Sequence, residues 1–408
     1  MHTETRAGRA WIMALAALML APPRIAAAQQ SGADTVLLHH IAIQARQRDA
    51  QIGTANAPAP AAAQYREALA DLERGEYPIA ATELSAALQR ARNNPLYLGD
   101  RAYAYAVQGQ FDPAGRDYRA AYAAQQRNAW YIAALAELAA AQNNWTEAAG
   151  NAQLAANTDS AVVDSLFAPA AATWFASAND RTGAFTWSKL STQRNPADAQ
   201  SWLRIALFLR QRQDSSAEGP DAVRRYIALK GEHADRLAFA LMAEQVYNSG
   251  KTDSGLALAR IAAQDSGYRE YAAQLYLQAG RDAFQHRDIP NTLALLTQGR
   301  QWATPAQLPA FSNITGRAQL LKLQSMLASI EESHNCDSAH VADTLLSKTE
   351  QSLREGASFD TARTNTMVNT VLPGFRQNVQ SAISSCRQGG AATPRRSTAP
   401  RPAPARRP

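Results

Sequence analysis

This 408-residue sequence is poor in the features on which most chemistry depends. Runs of alternating β-branched residues are almost missing, so helix is the only regular structure the pattern supports. The glycine-rich loops that cradle phosphates are absent, as are Cys-Xaa-Xaa-Cys-His and Gly-Xaa-Ser-Xaa-Gly, which removes the sequence signatures of nucleotide binding, haem attachment and serine-hydrolase chemistry. The seven histidines are scattered. His39 and His40 read as an exposed pair on a loosely held helix within residues 32–50. The densest polar cluster, EESHNCDSAH, holds Glu331, Glu332, His334, Cys336, Asp337 and His340. Its spacing matches no zinc pattern, and it reads as a polar loop with a structural disulfide. No catalytic residue, cofactor or metal site is expected.

Long apolar runs are missing as well, with one exception. WIMALAALMLA (11–21) follows Arg6 and Arg9, ends at Pro22-Pro23, and precedes Ala26-Ala27-Ala28. About 11 apolar residues fall short of the roughly 20 needed to span a bilayer, and the pattern is that of a secretory signal over residues 1–28. The expected mature chain is therefore exported, to a periplasm or cell envelope, with no transmembrane segment. Cysteine is scarce, Cys336 and Cys386 being the two. In an oxidising compartment they are expected to form one disulfide, closing a loop of about 50 residues worth roughly 3–4 kcal/mol; two unpaired thiols are the alternative.

An excess of positive charge is only apparent. The formal charge is +6, but residues 387–408 contribute +6 and residues 1–28 contribute +2, leaving about −2 for residues 29–386. A nearly neutral body argues against nucleic acid as a partner. The tail, with five prolines, six arginines and no large apolar residue, is expected to be disordered; it reads either as a polybasic segment for an anionic envelope surface or as a solubilising tether.

What is present is a repeat. GEYPIAATELSAAL (75–88) returns 34 residues later as GQFDPAGRDYRAAY (109–122), so that Gly75, Tyr77, Ala80, Leu84 and Ala87 map onto Gly109, Phe111, Ala114, Tyr118 and Ala121. NNWTEAAGNAQLAA (143–156) keeps Trp145, Ala148 and Ala155 in register, with Asn143 in place of glycine. Ala68, Ala102 and Ala136 share the same spacing. Each unit reads as two helices: glycine ends the first in a left-handed turn, Pro78 opens the second where no N–H is needed, alanines let the helices approach, and Tyr77, Phe111 and Trp145 fill the turn. Such a hairpin cannot bury its own apolar face, so neighbours must stack.

With Ala102, Tyr105, Gly109, Phe111, Ala114, Tyr118 and Ala121 in place, and Pro95 between units, the sequence resembles the tetratricopeptide repeat family. The resemblance implies an all-α fold, a right-handed α-solenoid of helical hairpins with a C-terminal helical cap. The expected organisation is an N-terminal segment and Ala/Pro linker (29–63), three well-matched units (64–160), degenerate repeats (161–303), a helical cap (304–386) and the tail (387–408). It also implies that the first helices line a groove, with Tyr65, Leu69, Tyr103, Trp130 and Glu137 as candidates to face it; for Tyr65 and Trp130, packing between helices is the alternative. The function implied is that of a non-enzymatic scaffold or adaptor for a protein partner. The alternatives are a component of an envelope secretion or polysaccharide-export assembly, or a glycan-active enzyme subunit, which would require Glu331 or Glu332 buried in a cleft.

Overall fold

The computed structural model describes residues 32–53, 57–214, 216–333 and 336–389, excluding the side chains of residues 332, 333, 336 and 386–389. Residues 1–28, where a secretory signal is expected, and the tail from residue 390 lie outside the described residues. All regular structure among them is helical, and the chain divides between His233 and Ala234 into two compact units.

In the first unit, α1 (Thr35–Ile52) precedes five hairpins: α2 (Ala59–Arg74) with α3 (Tyr77–Arg90), α4 (Pro95–Val107) with α5 (Phe111–Ala124), α6 (Trp130–Ala141) with α7 (Trp145–Thr158), α8 (Phe167–Ser177) with α9 (Arg181–Arg194), and α10 (Ala199–Gln211) with α11 (Glu218–Lys230). Within this unit each second helix also packs on the first helix of the next hairpin. The result is the all-α solenoid the repeat demands. The second unit adds α12 (Arg236–Asn248) with α13 (Thr252–Ala262) and α14 (Arg269–Gln285) with α15 (Ile289–Arg300). Longer helices follow: α16 (Leu308–Ser333), α17 (Cys336–Glu355), and α18 (Thr361–Thr366) running through a π-turn (Met367–Val371) into α19 (Leu372–Gly389). Leu323, Leu327, Leu346, Leu353, Leu372 and Val379 form the core of α16, α17 and α19.

One turn recurs in all seven hairpins. Gly75, Gly109, Asn143, Asn179, Gln213, Gly250 and Arg287 have positive φ, at spacings of 34, 34, 36, 34, 37 and 37 residues. After each of them the next N–H donates to the carbonyl five residues back: Glu76 to Asp71, Gln110 to Tyr105, Asn144 to Ala139, Asp180 to Phe175, Asp214 to Leu209, Lys251 to Val246 and Asp288 to Ala283. This is the 6→1 closure of a Schellman turn, which satisfies the last carbonyls of a helix. Seven residues before each turn stands Ala68, Ala102, Ala136, Ala172, Ala206, Ala243 or Gly280, in each case buried. At Gly280 even alanine is too large, because a Cβ would lie 2.7 Å from Leu296 Cδ2. The period therefore continues through the stretch where glycine and the aromatics fade.

Two local expectations need correction. The Ala/Pro stretch 55–63 is not wholly an extended linker: α2 begins at Ala59, because Pro60 falls in the first turn, where a missing N–H costs nothing. His39 and His40 are not on a loosely held helix; α1 is docked, as described next. Arg101, next to the buried Asp100, makes a two-pronged ion pair to Asp117 at 2.7 and 2.8 Å, with Tyr105 beneath its guanidinium.

Candidate functional site

The first helices α4 and α6 present one continuous face, and α1 lies across it. The sequence of α1 explains why. Asp34 caps it, its carboxylate accepting from Val36 N and Leu37 N at 2.9 and 3.1 Å. Leu37, Leu38, Ile41, Ala42 and Ala45 then form a narrow buried stripe at helical spacing. Burial of these side chains supplies the sequence-independent part of the docking; the polar contacts fix its register.

Those contacts run the length of α1. Asp34 N donates to Glu137 Oε1 at 2.6 Å. His39 Nδ1 is 3.1 Å from Tyr103 Oη, and His40 Nε2 is 2.5 Å from Asp164 Oδ2. The His40 ring also meets Trp130 edge-on, with centroids 5.6 Å apart. Arg46 Nε donates to Asp100 Oδ1 at 2.7 Å, and Arg48 pairs with Asp159 at 2.8 Å. Near the end of α1, Asn128 Nδ2 donates to Ala45 O and to Asp49 Oδ1 at 2.9 and 2.8 Å, while Tyr131 bonds Asp49 Oδ2. Cationic or imidazole groups of α1 thus meet carboxylates of the array, with Asp49 the one reversal.

Of the residues expected to face a groove, Tyr103, Trp130 and Glu137 lie buried against α1. Tyr65 is half-buried; it stacks on Tyr97 with centroids 4.5 Å apart and donates to Asp100 Oδ2 at 2.7 Å, so it both packs between helices and orients a carboxylate that faces α1. Leu69 is half-buried against the same core. Sequence reasoning missed Asp49, Asp100 and Asn128. The available signal was a lone acid inside the apolar run PLYLGDRAYAYAV, a residue type that is buried only when paired.

Electrostatics follow burial. Glu137 has its pKa pushed up to about 8, first by desolvation, against the N–H of Asp34 that favours its charged form, with the Asp34 carboxylate raising it further. Desolvation likewise raises Asp49 and Asp100, opposed at Asp49 by Tyr131 and Asn128 and at Asp100 by Arg46 and Tyr65.

The face is not sealed. A void of about 10 Å³ remains beneath α1 beside Ile41, Ala45, Gly99, Tyr118 and Tyr131. At the N-terminus of α1, an open pocket of about 240 Å³ is lined by Asp34, Val36, Leu37, Leu166, Pro169, Ala170 and Thr173.

Elsewhere, no group of three or more His, Cys, Asp or Glu side chains among the described residues is placed to hold a metal ion. Glu331 is exposed rather than buried in a cleft. The side chains of Glu332, His334, Cys336 and Cys386, and with them the expected disulfide, lie outside the described residues. No helix among those residues is long and apolar enough to cross a membrane.

Fold and site together define a helical-hairpin repeat protein with an amphipathic helix seated on the face of its first helices. No family model matches the chain, and no curated relative matches it. Similar solved structures include tetratricopeptide repeat proteins. One is a tetratricopeptide repeat protein from Parabacteroides merdae, with 10% identity, 63% of this chain and 98% of that chain covered, and a TM-score of 0.36. Another is the C-terminal part of a TPR repeat-containing protein from Cytophaga hutchinsonii (12%, 57% and 93%, 0.37). A third is pilF of Pseudomonas aeruginosa (17%, 52% and 97%, 0.38).

Proposed function

We propose that this protein is a non-enzymatic interaction scaffold or adaptor, exported to the periplasm or cell envelope, that engages a protein partner through the face of its first helices. The observation that carries this reading is α1 itself: a helix bound across α4 and α6 by an apolar stripe and by polar contacts to Tyr103, Asp100, Tyr131 and Glu137. A surface that holds one helix in this way has the shape and donor–acceptor pattern of a helix-in-groove site. Export rests on the signal-like segment 1–28 and the envelope surface on the Arg/Pro tail, both read from sequence.

The test is crosslinking in the native host with a photoreactive residue near the face, at Leu166, followed by identification of the captured protein. Trp130→Ala and Tyr103→Ala are expected to diminish the capture, and deletion of residues 390–408 to shift the envelope fraction of the protein. If neither substitution nor the deletion changes any captured protein, the groove reading fails.

A further inference from the structure

The helix that fills the face is not one of the repeats. It precedes the first hairpin and is joined to it through residues 53–58, yet packs chiefly on α4 and α6 rather than on α2 beside it in the chain. Its interface joins the buried stripe Leu37, Leu38, Ile41, Ala42 and Ala45, which belongs to the same apolar core as the hairpins, to a row of polar contacts. Within the hairpins, α2, α4 and α6 bury Ala68, Ala102 and Ala136 completely. Where α1 docks, the array contributes Tyr103, Asp100, Asn128, Tyr131, Glu137, Asp159 and Asp164, polar groups that water solvates when the helix is gone. Interfaces that exchange carry a larger share of such polar contacts than obligate cores do.

Charge complementarity fixes what the face accepts. Asp100 and Asp159 meet Arg46 and Arg48, and Asp164 meets the imidazole of His40, so the ligand is a helix with an apolar stripe and cationic or imidazole groups along its flanks. Space fixes the rest. The open pocket at Leu166, Pro169 and Ala170 begins where α1 ends, with Val36 68% and Leu166 44% exposed. A helix that placed a larger apolar side chain at this rim would gain a contact there, where α1 presents Asp34, Val36 and Leu37.

Resting on the scaffold reading above, we infer that α1 is an exchangeable intramolecular ligand, standing in for an amphipathic partner helix that carries the same apolar stripe, a cation opposite Asp100, and an additional apolar side chain about one turn before the position of Leu37. The open pocket gives such a helix a first foothold while α1 is still bound, and a contact that α1 lacks once it has left.

The experiment uses the full mature chain with a protease site introduced between Gly53 and Ala57, so that α1 is present during folding and is cut free afterwards. The probe is a fluorescent synthetic peptide of residues 33–52. The cut protein is expected to take up the peptide by anisotropy at least tenfold more tightly than the uncut chain does. Arg46→Glu in the peptide is expected to weaken binding at least tenfold. A peptide extended N-terminally by Leu-Ala-Ala-Leu is expected to bind at least threefold more tightly, an advantage abolished by Leu166→Asp in the protein. Should the cut α1 remain bound through a large excess of peptide while circular dichroism shows an intact fold, α1 is a permanent part of the core and the inference is overturned. It is also overturned if cut chains form stable dimers in preference to binding peptide, or if the extension brings no gain. Partner capture in cells that persists despite a non-exchanging α1 would retain the scaffold reading and remove this one.

Discussion

Asp49 on α1 and Tyr131 on α6 are hydrogen-bonded across 82 residues of sequence. Tyr131 Oη also lies 3.0 Å from Pro95 O, and one phenolic proton cannot serve two acceptors fully. Burial raises the Asp49 carboxyl above its usual range; once protonated, it donates to Tyr131 Oη and leaves the tyrosine proton for Pro95. Tyr131→Phe breaks this chain and leaves a buried carboxyl with Asn128 alone, at a cost of about 1–3 kcal/mol. Hydrogen exchange followed by mass spectrometry should show α1 amides exchanging faster while α4 and α6 hold; equal protection in all three would refute the linkage.

Gly99 is where α4 comes closest to that tyrosine. A Cβ there would lie 2.4 Å from Tyr131 Cε1, against a ring that is fully buried and held by hydrogen bonds to Asp49 and Pro95 O. Gly99→Ala is expected to destabilise the protein by roughly 1–3 kcal/mol through overpacking. Chemical denaturation monitored by circular dichroism measures it, and an unchanged midpoint would contradict the packing described.

The seven turns predict opposite effects for one kind of substitution. Arg287 adopts φ 60° and Gly109 φ 73°. Arg287→Gly relieves a left-handed residue of its Cβ strain and is expected to stabilise by about 0.5–1 kcal/mol, whereas Gly109→Ala introduces that strain and destabilises by about 1 kcal/mol. Thermal melts of the two variants should move apart; shifts of the same sign would show that other contacts govern these turns.

Stability should fall from mildly acidic to mildly alkaline pH. Glu137 titrates at about 8 when folded, against an ordinary 4.5. The folded state therefore holds a proton that the unfolded state has lost. Its favourable contribution is complete below about pH 4.5 and disappears as pH rises through 8. Asp49 and Asp100, raised by burial, act in the same direction. Glu137→Gln keeps an oxygen for Asp34 N and removes the titration, so its melting temperature between pH 5 and 9 should decline less steeply than that of the wild type. Parallel curves would place the slope elsewhere.

The cysteines give a covalent prediction. α17 starts at Cys336 and packs against α19, which carries Cys386; the chain reverses between them, and Arg376 on α19 is 2.5 Å from Glu350 on α17. An antiparallel return of this kind brings the end of α19 toward the start of α17. The Cys336–Cys386 disulfide itself is proposed from the sequence, as the pairing of its two cysteines expected in an oxidising compartment. Peptide mapping without reductant should recover the crosslinked pair from exported protein, and reduction should cost roughly 3 kcal/mol. Quantitative alkylation of both thiols in unreduced protein would count against it.

The hairpins were legible at Gly75, Gly109 and Asn143 because glycine and asparagine are the residues a left-handed turn tolerates best. They were less so at Gln213 and Arg287, where the turn is imposed by stacked neighbours on residues with no such preference. Counting back seven residues to Ala172, Ala206, Ala243 and Gly280 would have recovered them, since close helix approach requires a small side chain whatever the turn residue is. The candidate face was only partly legible. Tyr103, Trp130 and Glu137 follow from their register on the first helices, but their burial follows from a helix outside the repeat.

The sequence by itself determined a stack of helical hairpins, because the signals for helix period, close approach and turn are local and recur every 34 residues or so. Only the tertiary structure decided that α1 lies on the face of α4 and α6. That outcome depends on pairs such as Arg46 with Asp100 and His40 with Asp164, 54 and 124 residues apart. No periodicity carries such pairs, because each is selected by shape and charge across space after the array has formed.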